Sequence, residues 1–486
     1  VSIGEELVGE TDNAGAVVAI GVYKSILSTC VSSAWAFGVR KSISSTCVSV
    51  AWAFEVCKSI LSTYVSAAGA FGVCKSILSI YMSAAWTFGV CKSILSTYRS
   101  APRLLESCKS IYQLTHLRIQ SNKSEGRSAG MSNWGIAKIS NFIEQEISAG
   151  HLPGAVLYIA QSGKEVMKQA YGSRVMYPEA APMSVDTVFD LASLTKVVAT
   201  LPAVLQLMDQ GKLTLADPIG SFLPQFRFSQ EEPIRIVHLL THSSGLRADI
   251  PGMRGLMHLS RDELVDLILN ERPVHPPGTN VVYSDIGLIL LYLIIESVTG
   301  EAFDIYLKRE IFEPLEMSET GFCPTFAETR YAVTEFSEQH QAYKAGIVHD
   351  EKAELMHGVS GHAGLFSTVH DVANYAQMIR QKGVFKGRKI ISRAAIELSS
   401  RNFTQYDQEF RGLGWLLRNP RSFLFSGDYA SEHSFGHTGF TGTSLFFEPE
   451  QDLQVIFLTN RVHFGRTEHI LQIRPRLHNL ILSQLK

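Results

Sequence analysis

The sequence predicts an α/β fold of the α+β kind, in which an antiparallel sheet built from both ends of one domain is flanked by helices and carries a mainly helical second subdomain. Three observations predict it. Ala155–Ala160 and Glu165–Tyr171 read as strands around Gln161-Ser162-Gly163-Lys164, a hairpin turn with glycine at its tip. Near the other end, Thr443–Phe447 and Leu453–Leu458 make a second hairpin about Glu448–Asp452. Between the hairpins the strong apolar patterns have helical period, as in Arg261–Asn270 and Gly287–Val298, and the loops are rich in Pro and Gly. A cleft between sheet and helices is the expected site.

The chain has 486 residues, 45% of them hydrophobic, enough to bury a large core. Residues 1–129 stand apart from it. Lys-Ser recurs at Lys24, Lys41, Lys58, Lys75, Lys92 and Lys109 with near-identical text between, a period of 17. At about 100° per residue that shift keeps no single helix face, and an odd shift inverts a strand. The expectation is a repetitive low-complexity leader that is not a folded domain, ahead of a start at Met131. Its longest uncharged runs fall short of the roughly 20 residues of a membrane span, so membrane association of the repeats is open but disfavoured.

The folded domain is expected over residues 130–486. Its opening helix is marked by Ile136, Ile139, Phe142, Ile143 and Ile147, and a helical C-terminus starts near Glu468. Six cysteines lie in the leader and only Cys323 in the domain, which leaves no internal disulfide framework. A net charge of -2 gives no basic footprint for nucleic acid. The expected partner is a small-molecule or peptide substrate, with no cofactor, because the Gly-x-Gly pieces lack a strand-turn-helix setting. No signal peptide is visible, which favours a cytoplasmic location; oligomeric state stays open.

Ser193-Leu194-Thr195-Lys196 opens a helix whose apolar positions run from Leu194 to Met208 and end at Gly211. Ser193 and Lys196 therefore sit one turn apart on one side. A serine hydroxyl becomes a nucleophile when a neighbouring base takes its proton, and a partly buried lysine can be that base. In isolation such a serine is usually a cap and such a lysine a solvated charge. Tyr283-Ser284-Asp285 follows a strand-like Thr279–Val282 and precedes an apolar helix, where Ser284 or Asp285 would ordinarily be its N-cap. His437-Thr438-Gly439 lies at the start of the C-terminal strand region, where glycine permits close backbone approach.

Taken in order, these three motifs resemble the serine β-lactamase and penicillin-binding-protein family, nearest its class C, DD-peptidase and esterase-like branch. The resemblance spans roughly 350 residues and includes the Phe189–Lys196, His238–Leu246 and Gly361–Ser367 runs. It implies a hydrolase with Ser193 as nucleophile, Lys196 as the partner that accepts its proton, and Tyr283 as a second acid/base. The backbone N–H groups of Ser193 and Phe440 would form the oxyanion hole, and Asp285, His437, Thr438 and Gly439 would meet the substrate. Asp285 stands where the family usually has Asn, and His437 where it often has Lys. The imidazole of His437 would then change charge near neutral pH, and Asp285 would disfavour an anionic β-lactam or hold Lys196 protonated. The resemblance also leaves a cell-envelope location open.

Other readings are weaker on the residues. His238 and His242 have the i, i+4 spacing of zinc ligands, but Leu239 stands where a zincin has its general-base Glu. No Gly-x-Ser-x-Gly elbow occurs, against an α/β-hydrolase. A Ser–His pair using His437, and a non-catalytic ligand-binding or scaffold member of the same fold, stay open. Gly358–Gly364 reads as a tight loop near the cleft, and Phe410 and Trp415 as wall or core.

Overall fold

A computed structural model of the chain describes residues 131–226, 233–419 and 425–485. The leader expected over residues 1–129 lies outside the described residues. Helices that position the site are α1 (Asn133–Ser148), α2 (Leu201–Asp209), α3 (Ile236–Leu240), α4 (Arg261–Leu269), α5 (Asp285–Thr299), α6 (Glu351–Leu355), α7 (Val369–Arg380) and α8 (His469–Ser483). The strands are β1 (Gly154–Gln161), β2 (Lys164–Val175), β3 (Ala181–Pro182), β4 (Phe189–Asp190), β5 (Gly321–Phe322), β6 (Leu365–Ser367), β7 (Leu416–Leu417), β8 (Phe435–Thr438), β9 (Ser444–Glu448) and β10 (Leu453–Thr459).

The main sheet has the order β7-β8-β9-β10-β1-β2-β3 and is antiparallel throughout. The two ends of the domain thus meet at its centre, where Val156 faces Leu458 and Tyr158 faces Ile456 across the β1–β10 pair. Ser162 and Gly163 turn the first hairpin with φ of 53° and 73°, a conformation that the glycine adopts without a Cβ penalty.

Both faces of the sheet are covered, and the period of two sorts the side chains between them. Leu157, Ile159, Phe446, Val455 and Phe457 pack with Ile139 and Ile143 of α1 and Ile473, Leu477 and Ile481 of α8. Val156, Leu445, Phe447, Ile456 and Leu458 face the opposite core, which contains α2, α5 and α7. Helix α5 is buried along most of its length, from Ile286 to Ile295, so its apolar run is a core helix of the helical part. No single helix among the described residues is long and apolar enough to cross a membrane.

A small sheet, β4-β6-β5, ties the segment before Ser193 to the Gly358–Gly364 loop. Beyond β4 the chain makes a 3-10 turn, Ala192–Leu194, and a π-helical turn, Lys196–Thr200, before α2. The helix expected from Ser193 is therefore irregular for its first two turns. Thr279–Val282 is not a strand: the Val282 N–H donates to the His242 carbonyl (2.8 Å) and the Val281 N–H to the Asp407 carboxylate (2.9 Å). With Pro276 and Pro277 just upstream and single loop partners in place of a ladder, this stretch is extended but unpaired.

Gly361 joins the small sheet to α5. A Cβ at this position would lie 2.3 Å from the Leu288 carbonyl oxygen and 2.9 Å from the Tyr292 Cβ. Gly361→Ala is expected to destabilise the protein by about 1–3 kcal/mol, as overpacking against backbone does, measured by urea unfolding against the unmodified chain; an unchanged midpoint would refute this close-packing account.

Candidate active site

Ser193 is delivered by a strained turn. Ala192, immediately before it, has φ of +47°, which costs a non-glycine residue about 1–2 kcal/mol. The turn is held from several sides. Asp190 accepts the Ala192 N–H on Oδ1 (2.8 Å) and the His349 N–H on Oδ2 (2.7 Å), while the Thr441 and Thr443 hydroxyls donate to the carbonyls of Asp190 and Leu191. Burial pushes the Asp190 carboxyl up, against these two amide donors.

Lys196 lies one turn on, with no exposed surface. Its Nζ is 2.9 Å from Ser193 Oγ, 3.0 Å from the His362 carbonyl and 2.8 Å from Asp285 Oδ1. Burial alone would lower its pKa, but Asp285 and Tyr283 outweigh burial and hold the ammonium above its ordinary value. Asp285 thus lies where it favours the charged form of Lys196.

Ser284 caps α5: its hydroxyl accepts the Gly287 N–H (3.4 Å) and donates to the Arg247 carbonyl (2.6 Å). That leaves Tyr283 and Asp285 free to flank it. The second oxygen of Asp285 is 3.3 Å from Lys352 Nζ, so the carboxylate is engaged by two buried ammonium groups and does not simply face a substrate. Tyr283 has the Lys196 Nζ 4.9 Å and the Arg411 guanidinium 5.4 Å from its ring centroid.

His437 and His242 both neighbour Tyr283, with ring centroids at 6.0 and 4.6 Å. The expectation that His437 changes charge near neutral pH does not hold. It is buried in the β8–β9 pair, and burial, then Arg411 and Lys196, push its pKa well below the usual imidazole value. Its Nδ1–H donates to the Thr438 carbonyl (2.8 Å), and its Nε2 has no hydrogen-bond partner among the described residues. The fixed cation beside Tyr283 is instead Arg411, paired with Glu409.

Gly439 ends this strand against the Ser193 turn. Its N–H donates to the Thr443 carbonyl (2.7 Å), and a Cβ there would lie 2.5 Å from the Leu191 carbonyl oxygen and 2.1 Å from Thr443 Oγ1. Arg474, buried on α8, donates to the carbonyls of Gly439 (3.0 Å) and Thr443 (2.9 Å), and Arg461 donates to that of Phe440 (2.9 Å). Two arginines thus pin the turn from behind, while the Phe440 side chain stays exposed.

The structure gathers Ser193, Lys196, Tyr283, Asp285 and His437 in one place and sets Gly439 against the Ser193 turn. Sequence reasoning missed Asp190, Lys352, Arg411 and Arg474. Lys352 sits in a Glu-Lys-Ala-Glu helix that reads as a solvated face, so no sequence signal marked it. The Gly358–Gly364 loop was expected near the cleft, and the His362 carbonyl touches Lys196 within it. Ser360 Oγ, His362 Nδ1 and Nε2, and Asp350 Oδ1 form a chain with links of 2.8 and 2.7 Å, and Ser360 is fully buried.

The zinc spacing of His238 and His242 dissolves in the structure, because α3 ends at Leu240 and His242 lies beyond it with φ of 56°. Asp285, Asp350 and His362 offer donor atoms within 4.8 Å of one another. Lys352 and Lys196 already engage the Asp285 carboxylate, and Lys352 lies 3.7 Å from Asp350, so the group is held as an ion-pair network, although Asp285 Oδ1 faces Lys196 by charge without a well-aligned hydrogen bond.

Gly439→Ala is expected to separate the strand end from the Ser193 turn and slow acylation at least about 100-fold, the scale of losing an oxyanion donor, with the fold retained by circular dichroism. Labelling by a fluorophosphonate at the unmodified rate would contradict this reading of the glycine.

A family profile described as Beta-lactamase matches residues 139–477. The N-acetylmuramyl-L-alanine amidase of Bacillus subtilis (strain 168) is 34% identical over 369 residues, covering 69% of this chain and 83% of that protein. A protein of Escherichia coli (strain K12), provisionally named a D-alanyl-D-alanine carboxypeptidase, is 30% identical over 376 residues, 70% of this chain and 86% of its own length. Among solved structures, the octameric penicillin-binding protein homologue from Pyrococcus abyssi matches with a TM-score of 0.56 at 25% identity, over 72% of this chain and 77% of that one. The profile match begins inside α1 and ends inside α8, takes in every strand named above, and shows that this chain belongs to the beta-lactamase family.

Proposed function

We propose that this chain is a serine hydrolase that forms an acyl-enzyme on Ser193 and cleaves amide or ester bonds, with amides of cell-wall peptides as the substrate class. The observation that carries the reading is the Ser193 Oγ, presented by a strained turn 2.9 Å from the Nζ of a fully buried lysine. Likeness to the Bacillus subtilis amidase supports the amide class.

The chemistry follows from the positions. Lys196 in its amine form takes the Ser193 proton as Oγ bonds to the substrate carbonyl carbon. The negative charge that develops on the carbonyl oxygen is met by the Ser193 and Phe440 N–H groups, which the close approach of Gly439 to Leu191 brings together. Tyr283 relays a proton to the leaving nitrogen as its bond to carbon breaks. Water then attacks the acyl-enzyme, and the same groups return the proton to Ser193. The neutral His437 offers no fixed charge to a carboxylate-bearing β-lactam, so a chromogenic cephalosporin should turn over slowly.

Ser193→Ala is expected to abolish covalent labelling by a fluorophosphonate and to cut turnover of a muramyl-peptide amide and a nitrophenyl ester by about 10³-fold or more. Intact mass before and after labelling reads the adduct directly. Turnover retained in Ser193→Ala would end the mechanism, and a folded, unmodified protein that never labels would favour the non-catalytic ligand-binding reading.

The pH dependence follows from the raised Lys196 pKa. Only the amine form accepts the serine proton, so the labelling rate should climb with pH through the alkaline range. Asp285→Asn removes a carboxylate that raises it and should move this limb to lower pH by about 1–2 units. A limb that stays in place would mean that Lys196 does not control acylation.

A further inference from the structure

The second buried lysine of the site has no part in the reaction just described, yet it closes a ring of charges around Lys196. Lys352, 3% exposed on α6, has its Nζ 2.9 Å from Asp249 Oδ2, 3.3 Å from Asp285 Oδ2 and 3.7 Å from Asp350 Oδ2. Asp285 therefore bridges two ammonium groups, with Lys196 on Oδ1 and Lys352 on Oδ2. Asp350 carries the ring onward to His362 Nε2 (2.7 Å), and the His362 carbonyl returns it to Lys196 Nζ (3.0 Å).

We propose that Lys352 is a positioning residue that divides the Asp285 carboxylate between two cations, so that Lys196 can still give up its proton within reach of Ser193. The inference rests on the nucleophile reading above. An aspartate paired with Lys196 alone would hold the ammonium in place and leave a poor base. With Lys352 on its other oxygen, the same carboxylate is spread over two positive charges, and the like charge of Lys352 opposes the charge of Lys196.

Asp249, Asp285 and Asp350 face Lys352. Lys196 is faced by Asp285, Tyr283 and the His362 carbonyl, and at longer range by Arg411, His242 and His437. Both of those histidines are held neutral by burial and by Arg411. Neither supplies an alternative charge that switches at neutral pH.

The test is the pH profile of Ser193 labelling by a fluorophosphonate, followed by intact mass. Lys352→Met should move the alkaline limb up by about one pH unit and slow labelling about tenfold at a fixed pH below it. Lys352→Arg should keep the limb within a few tenths of a unit, because the charge is retained. Combining Lys352→Met with Asp285→Asn should bring the limb back to or below that of the unmodified protein, since the carboxylate that Lys352 tempers is then gone. If Lys352→Met fails to fold, Lys352→Gln with Asp249→Asn removes the cation together with one of its carboxylates and should show the same upward shift. A limb unmoved in a folded variant lacking the Lys352 charge, with labelling still going to completion, would overturn the proposal and leave Lys352 merely structural. No labelling of the unmodified protein would instead remove the nucleophile reading, and this inference with it.

Discussion

Everything in the site answers to one constraint, an ammonium group with no water around it. Lys196 is fully buried, and an unanswered charge there would cost several kcal/mol. The answer is assembled from distant parts of the chain: a carboxylate at the start of α5, a carbonyl from the Gly358–Gly364 loop, and the hydroxyl of Ser193. Once that lysine is fixed, the small sheet that holds the loop and the cap that releases Asp285 become necessary. The site is therefore where the Ser193 turn, the start of α5 and the Gly358–Gly364 loop are joined through one buried ammonium group.

The Ser193 turn depends on a second demand, a backbone strain that must be over-determined to persist. Ala192 keeps its positive φ because Asp190 binds its amide and because Thr441 and Thr443 reach over from the β8–β9 turn. That turn is itself gripped by Arg474 and Arg461. Its glycine admits the strand end to the Leu191 carbonyl at a distance that any side chain would block. Strain on one side and close approach on the other are thus two halves of one arrangement, which brings the Ser193 and Phe440 segments together.

The sheet was legible because its period of two is written plainly in β1, β2, β9 and β10, and because both hairpin turns carry their own chemistry. The helices were legible from α1, α5 and α8, whose apolar stripes are long. Thr279–Val282 misled because β-branched residues beside Asn and Thr look like a strand, whereas only a paired edge makes one. Within the site, Ser193, Lys196 and Tyr283 stood out through their order along the chain. Asp190, Lys352, Arg411 and Arg474 did not, since each is a common surface-type residue whose burial is decided by tertiary contacts between segments tens to hundreds of residues apart. His437 was visible as a residue and misjudged as a charge, because its pKa is set by burial and by Arg411, neither of which is local.

That misjudgment relocates the positive charge of the cleft. Where the resemblance led to a strand-borne cation, the strand carries a neutral imidazole, and the guanidinium is that of Arg411, 5.4 Å from the Tyr283 ring centroid and tied to Glu409. A guanidinium does not titrate in the working range, whereas an exposed imidazole would. The part of the cationic field at Tyr283 that comes from Arg411 is therefore constant with pH, and the part that varies comes from Lys196, 4.9 Å from the ring and paired with Asp285. A substitution at His437 alone would change shape and hydrogen bonding at the strand end before it changed charge. On the proposed mechanism the two parts of the site are then separable: His437 and Gly439 set the shape of the β8 end beside the Ser193 turn, and the buried ion pairs set the charge of Lys196.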